Sequence, residues 1–165
     1  MAERPHKLSE QTGKSIAVAL YEPEIPLNVG SIARTCACTG VPLHLVGRLG
    51  FRVDDREAKR AGLDYWEHVE SHVHRTWDEF VADMNGRNMW FFSTKGEIHY
   101  HEIRYQTGDV LVFGSEGKGL PDELLKEHSN NVLTIPMIDG RRSLNLSNAV
   151  AVVTYRVLTC LHEFK

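Results

Sequence analysis

The chain has 165 residues, 42% of them hydrophobic and 25% charged, with a formal net charge of −3. That balance belongs to a soluble globular protein with one substantial core. No apolar run approaches the roughly 20 residues of a membrane span, and the polar start, residues 1–13, lacks the apolar stretch of a signal peptide. The expected organisation is a loose leader over 1–13 and a single domain over 14–165, in the cytoplasm.

Short apolar runs alternate with helical patterns. Ile16–Leu20 (IAVAL) reads as a buried strand, and Pro23 and Pro26 then break the chain. Asn28 is a plausible N-cap for a helix over Val29–Thr39, stopped by Gly40. Leu43–Val46 predicts a second strand, and Asp54 and Asp55 could cap a short helix reaching Ala61. Trp77–Met84 is amphipathic. Met89–Ser93 and Val110–Phe113 predict strands, Pro121 opens a helix to about His128, and Val132–Ile135 predicts the last strand. A final helix covers Asn145–Phe164. Its apolar residues, among them Val150, Val152, Val153 and Val157, span more than one stripe, as in a deeply buried or interface helix. Strands separated by helices predict an α/β fold with a largely parallel sheet flanked by helices.

Three cysteines, Cys36, Cys38 and Cys160, make no disulfide framework. The densest histidine group, His68, His72 and His74, has no cysteine partners, so no metal is expected. The bulk charge does not suggest a nucleic-acid partner. Arg48, Arg52, Arg56, Lys59 and Arg60 do outnumber Asp54, Asp55 and Glu57 locally, which fits either a solvated face or phosphate contacts.

Three segments depart from ordinary patterning. In Asn28–Arg34 (NVGSIAR), Arg34 is the sole charge between Ile25 and Leu43, on a helix of small residues. Such an arginine is either paired inside the fold or presented to an anion. Gly114–Leu120 (GSEGKGL) is a glycine-rich turn after a strand, where α/β folds bind ligands, yet it is neither a Walker loop nor G-x-G-x-x-G. A side chain at Gly114 would fill space such a ligand needs. Ile135–Asn148 (IPMIDGRRSLNLSN) brings Ser143, Asn145, Ser147 and Asn148 to the start of the last helix. Capping explains one or two of the four, and the surplus suggests hydrogen bonds to a ligand.

In this order, YEPEIPLNVGSIARTCACTG, GLDYWEH, STKG, FGSEGKGLP and IPMIDGRRSLNLSNAVAV resemble the motifs of the SPOUT methyltransferases. Within them they look like the TrmL- or YibK-like tRNA (cytidine/uridine-34) 2′-O-methyltransferase subgroup. The resemblance covers about residues 15–160. It implies a deep C-terminal trefoil knot, S-adenosyl-L-methionine as cofactor, a homodimer, and the tRNA anticodon region as substrate. It places Arg34, Ser143 and Asn145 at the catalytic centre. It places Phe92, Gly114, Glu116, Ile135, Met137, Ser143 and Leu144 around the cofactor. Arg141 and Arg142 join the basic residues as candidate RNA contacts, and Tyr155 is either a site residue or core. Two residues depart from the subgroup pattern: Ser115 stands where proline is usual, and Arg141 where serine is usual. The same chemistry on another tRNA position or on rRNA, and a non-catalytic RNA-binding role, are the alternatives.

Overall fold

The computed structural model describes residues 8, 14–52 and 63–162. Seven strands form one sheet: β1 (Ala17–Tyr21), β2 (Leu43–Val46), β3 (Ser71–His74), β4 (Met89–Phe92), β5 (Ile98–His99), β6 (Val110–Phe113) and β7 (Val132–Thr134). Their order is β3-β2-β1-β6-β4-β7-β5, and every pairing is parallel. Among the described residues four α-helices accompany them: α1 (Pro26–Thr39), α2 (Trp77–Met84), α3 (Asp122–Glu127) and α4 (Leu146–His162). No helix among the described residues is long and apolar enough to cross a membrane. The expected short helix from Asp54 to Ala61 and most of the expected leader lie outside the described residues. Leu8 is half-buried against the core.

Parallel strands are covered on both faces, so the central ones are apolar throughout. Alternation then divides the side chains between two cores. Val18, Leu20, Leu43, Leu45, Leu111 and Phe113 meet α1 and α4, where Ile32, Val153 and Val157 are buried. Ala17, Ala19, Val46, Val110 and Val112 meet Phe80 and Met84 of α2 and Leu124 and Leu125 of α3. Each large apolar side chain so buried contributes about 1.5–3 kcal/mol.

Two strands escape the sequence reading. β3 (SHVH) is an edge strand of polar alternation, and β5 has two residues. The start of α1 is also corrected. Pro26 takes the first helical position, where its missing N–H costs nothing. Ile25 is the N-cap, and Asn28 is inside the first turn. Gly40 closes the helix as expected, in the left-handed conformation (φ 73°), with its N–H donating to the Cys36 carbonyl.

The placement of β7 is unusual. It lies between β4 and β5, which follow one another in sequence, so the connection 93–97 bridges across it. There Gly96 sits so close that a Cβ would lie 2.7 Å from the Leu133 carbonyl carbon. Of the broad apolar face expected for α4, Val150, Val153, Val157 and Leu158 are buried, whereas Val152 and Tyr155 are exposed.

Candidate active site

In parallel α/β sheets, loops at the carboxyl ends of the strands form the ligand crevice. A cleft of ≈ 660 Å³ lies at the ends of β4, β6 and β7, within the size range of small-molecule sites. Its lining includes Phe92–Lys95, Gly114–Leu120 and Arg142–Asn145, with Thr134 and Ile135. Two of the three segments flagged in the sequence thus meet in one space, joined by Asn28 alone from the first and by the 92–95 loop. Phe92 and Phe113 stack inside it, ring centroids 4.6 Å apart. Lys95 reaches across to Asp122 (2.5 Å) and holds that carboxyl below the usual carboxylate range.

The glycine-rich turn closes on itself. Ser115 N–H donates to the Gly119 carbonyl (3.3 Å), Gly119 N–H donates back (2.9 Å), and Ser115 Oγ accepts from Lys118 N–H (3.3 Å). Ser115 therefore uses an N–H that proline lacks. At Gly114 the turn itself leaves no room for a side chain. A Cβ there would lie 2.1 Å from the Gly119 carbonyl carbon and 2.2 Å from Leu120 N. The space is taken by the turn's own backbone.

A polar relay joins the three segments. The Glu116 carboxylate accepts from the backbone N–H of Glu24 (2.7 Å) and Ile25 (3.1 Å) and from the Asn28 amide (3.1 Å). It thereby serves the start of α1, whose first turn holds no acidic residue of its own. Glu24 reciprocates, its carboxylate accepting from Gly117 N–H (3.2 Å). Asn28 Oδ1 accepts from the Asn145 amide (3.0 Å). Asn145 Oδ1 in turn accepts from Ser147 N–H (2.9 Å), Ser147 Oγ (2.6 Å) and Asn148 N–H (3.3 Å), capping α4. Asn28 is buried and central to the relay. The sequence reading missed it because its partners lie 88 and 117 residues away.

Among the expected site residues, Phe92, Gly114, Glu116, Ile135, Arg142, Ser143, Leu144 and Asn145 line the cleft. Met137 and Arg141 do not line it. Arg34 is also outside. It is exposed on α1, its guanidinium carbon 4.6 Å from the centre of the Tyr65 ring. Arg48 and Arg52 are exposed after β2, while Arg56, Lys59 and Arg60 lie outside the described residues.

An all-parallel sheet with a glycine-turn cleft at its strand ends defines a small-ligand α/β domain. The SpoU rRNA Methylase family matches residues 15–155, so the chain belongs to that family. It is 48% identical over 139 residues to the tRNA (cytidine(34)-2′-O)-methyltransferase of Saccharophagus degradans, covering 84% of this chain and 90% of that protein. A solved structure concerned with the 2-OH methylation of C/U34 on tRNA superposes with a TM-score of 0.84 at 43% identity, covering 88% of this chain and 95% of the other. The AdoMet-bound rRNA methyltransferase of Sinorhizobium meliloti superposes with a TM-score of 0.78 at 25% identity, over 87% of this chain and 55% of that one.

Proposed function

We propose that this protein transfers the methyl group of S-adenosyl-L-methionine to the ribose 2′-hydroxyl of nucleotide 34 of tRNA, a cytidine or modified uridine. The observation that carries the reading is the convergence of the Phe92, Gly114 and Ser143 segments on one cleft, in a chain 48% identical to a relative named for that reaction. The residues fit the cofactor. The stacked Phe92 and Phe113, with Ile135 and Leu144, offer apolar walls for an adenine ring, and Ser115, Thr134 and Ser143 offer polar atoms.

The cofactor supplies an already activated methyl group, so the chain's task is to bind, orient and assist loss of a proton. Asn145 fixes the end of α4 while Ser143 and Arg142, two and three residues earlier, line the exposed side of the cleft. Arg34 serves the RNA, as a planar fork for phosphate or for polarising the hydroxyl. Arg48, Arg52, Arg56, Lys59, Arg60, Arg141 and Arg142 contact phosphates.

Two further properties belong to this reading. The bridging of β7 by 93–97 supports a knotted C-terminal segment. The exposed Leu27 on α1, with Val152 and Tyr155 on α4, supports a homodimer through these helices. The protein acts in the cytoplasm, where tRNA is found.

The test is a methylation assay with purified tRNA followed by nucleoside mass spectrometry. A 2′-O-methylated nucleoside mapping to position 34 is expected. Methylation confined to rRNA or to another tRNA position, or none by folded protein, would overturn the assignment.

A further inference from the structure

A second group of chemistry-bearing side chains lies on the opposite half of the sheet, away from the cleft. His44 of β2 and His74 of β3 point to the α2 face, and both are buried. Their ring nitrogens, His44 Nδ1 and His74 Nε2, stand 2.9 Å apart. Asp83, in the last turn of α2, brings its Oδ2 to 3.9 Å from the same His74 nitrogen, and its side chain is 56% exposed. One ligand atom from each of the three residues falls within 4.8 Å of the others. None of the three lines the cleft.

We propose that His44, His74 and Asp83 form a binding site for a borderline-soft divalent cation of the zinc class, tying β2, β3 and α2 together. The donor set is right for such an ion: two imidazoles and one carboxylate, with a fourth position left to water. Tetrahedral zinc holds two nitrogens about 3.3 Å apart, so the rings need open by only a few tenths of an ångström. The exposed carboxylate is free to swing inward. The rings are held in place by their surroundings. Phe80 lies 5.7 Å from His44 and 5.4 Å from His74, and His72 stacks on His44 at 4.8 Å. Burial favours the neutral form of both imidazoles, which is the form that ligates a metal. Without a cation the pair shares a single hydrogen bond, in which one ring donates and the other accepts.

The experiment is titration of chelator-treated, dialysed protein with Zn²⁺, followed by calorimetry and by melting temperature, and with Co²⁺, followed by its visible absorption. One equivalent should bind, raise the melting temperature and give a tetrahedral cobalt spectrum. Asp83→Asn, a change at an exposed side chain, should weaken binding at least tenfold and remove the thermal gain while the apoprotein stays folded. His74→Gln should do the same. The other described cluster with ligand spacing, His99, His101 and Glu102, supplies the control: a His99→Asn/His101→Asn protein should bind as before. Absence of one-equivalent binding would overturn the proposal. So would binding undiminished in Asp83→Asn and His74→Gln, or binding lost in the control.

Discussion

Glu116 and Glu24 hold each other across 92 residues of chain: the Glu116 carboxylate accepts the Glu24 N–H at 2.7 Å, and the Glu24 carboxylate accepts the N–H of Gly117 at 3.2 Å. The clasp fixes the glycine-rich turn to the entry of α1. Glu116→Gln keeps the shape but turns one acceptor into a donor and removes the charge at the helix start. It should cost about 1–2 kcal/mol, a fraction of the usual worth of charge-assisted bonds because the site is partly solvated. A chain of this length should then melt about 2–8 °C lower. Cofactor affinity by calorimetry should fall as well. An unchanged melting curve would remove the clasp from the stability account.

Arg34→Ala should lower the single-turnover methylation rate by roughly 10²-fold or more, lowering kcat and kcat/KM together. Cofactor affinity should be nearly unchanged, because Arg34 does not line the cleft. Arg34→Lys keeps the charge and loses the planar fork, so it too should be slow. A folded Arg34→Ala protein with wild-type turnover would discard the catalytic role.

Gly114→Ala separates two readings of that glycine. Its Cβ would meet the backbone of Gly119 and Leu120 at 2.1–2.2 Å, so the turn itself must shift. Melting temperature and cofactor affinity should fall together. If affinity is lost while the melting temperature holds, the methyl group is competing with ligand instead.

Leu27→Glu places a charge on a side chain 64% exposed in the single chain. If α1 and α4 cover one another across a dimer, this buries an unpaired charge. Light scattering should then show a dimer in the wild type and a monomer in the variant. A wild-type monomer that is still active would end the dimer reading.

His44 gives a pH dependence with a defined sign. Burial pushes its folded pKa down from 6.5 to about 4, helped by the neighbouring His72 and His74. The unfolded chain therefore binds the proton first. The stabilisation is complete above pH 6.5 and is lost as pH falls towards 4. The loss should be on the order of 2–3 kcal/mol, read by urea unfolding at stepped pH. His74, lowered by burial as well, acts in the same direction. His44→Gln should flatten that slope, and an unchanged slope would assign the acid sensitivity elsewhere.

The central strands were legible because burial on both faces writes itself as uninterrupted apolar runs, as in Val110–Phe113. The edges were not. SHVH carries the composition of a loop, and Ile98–His99 is too short to show a period. In the site, glycine spacing and residue types pointed to two of the segments that line the cleft, since a tight turn writes its glycines locally. Asn28 was misread because capping rules look only at neighbours in sequence, and its partners, Glu116 and Asn145, arrive from later segments. The histidines grouped by nearness in sequence, His68, His72 and His74, left out His44, which β2–β3 pairing brings beside His74.

The lodging of β7 between β4 and β5 sets a timetable for the protein's birth. A chain emerging from the ribosome can pair β1 with β2 and β2 with β3 as soon as they are made. The ligand cleft has no such early form. Its last wall is built from Thr134 and Ile135 at the end of β7 and from 142–146 beyond it, and the cap that anchors α4 is Asn145. A nascent or prematurely terminated chain ending before that point has a glycine turn and aromatic floor but no enclosed site. An enclosed cleft thus waits for the segment through Asn145 to be made, and contacts of such long sequence separation make that step a slow one.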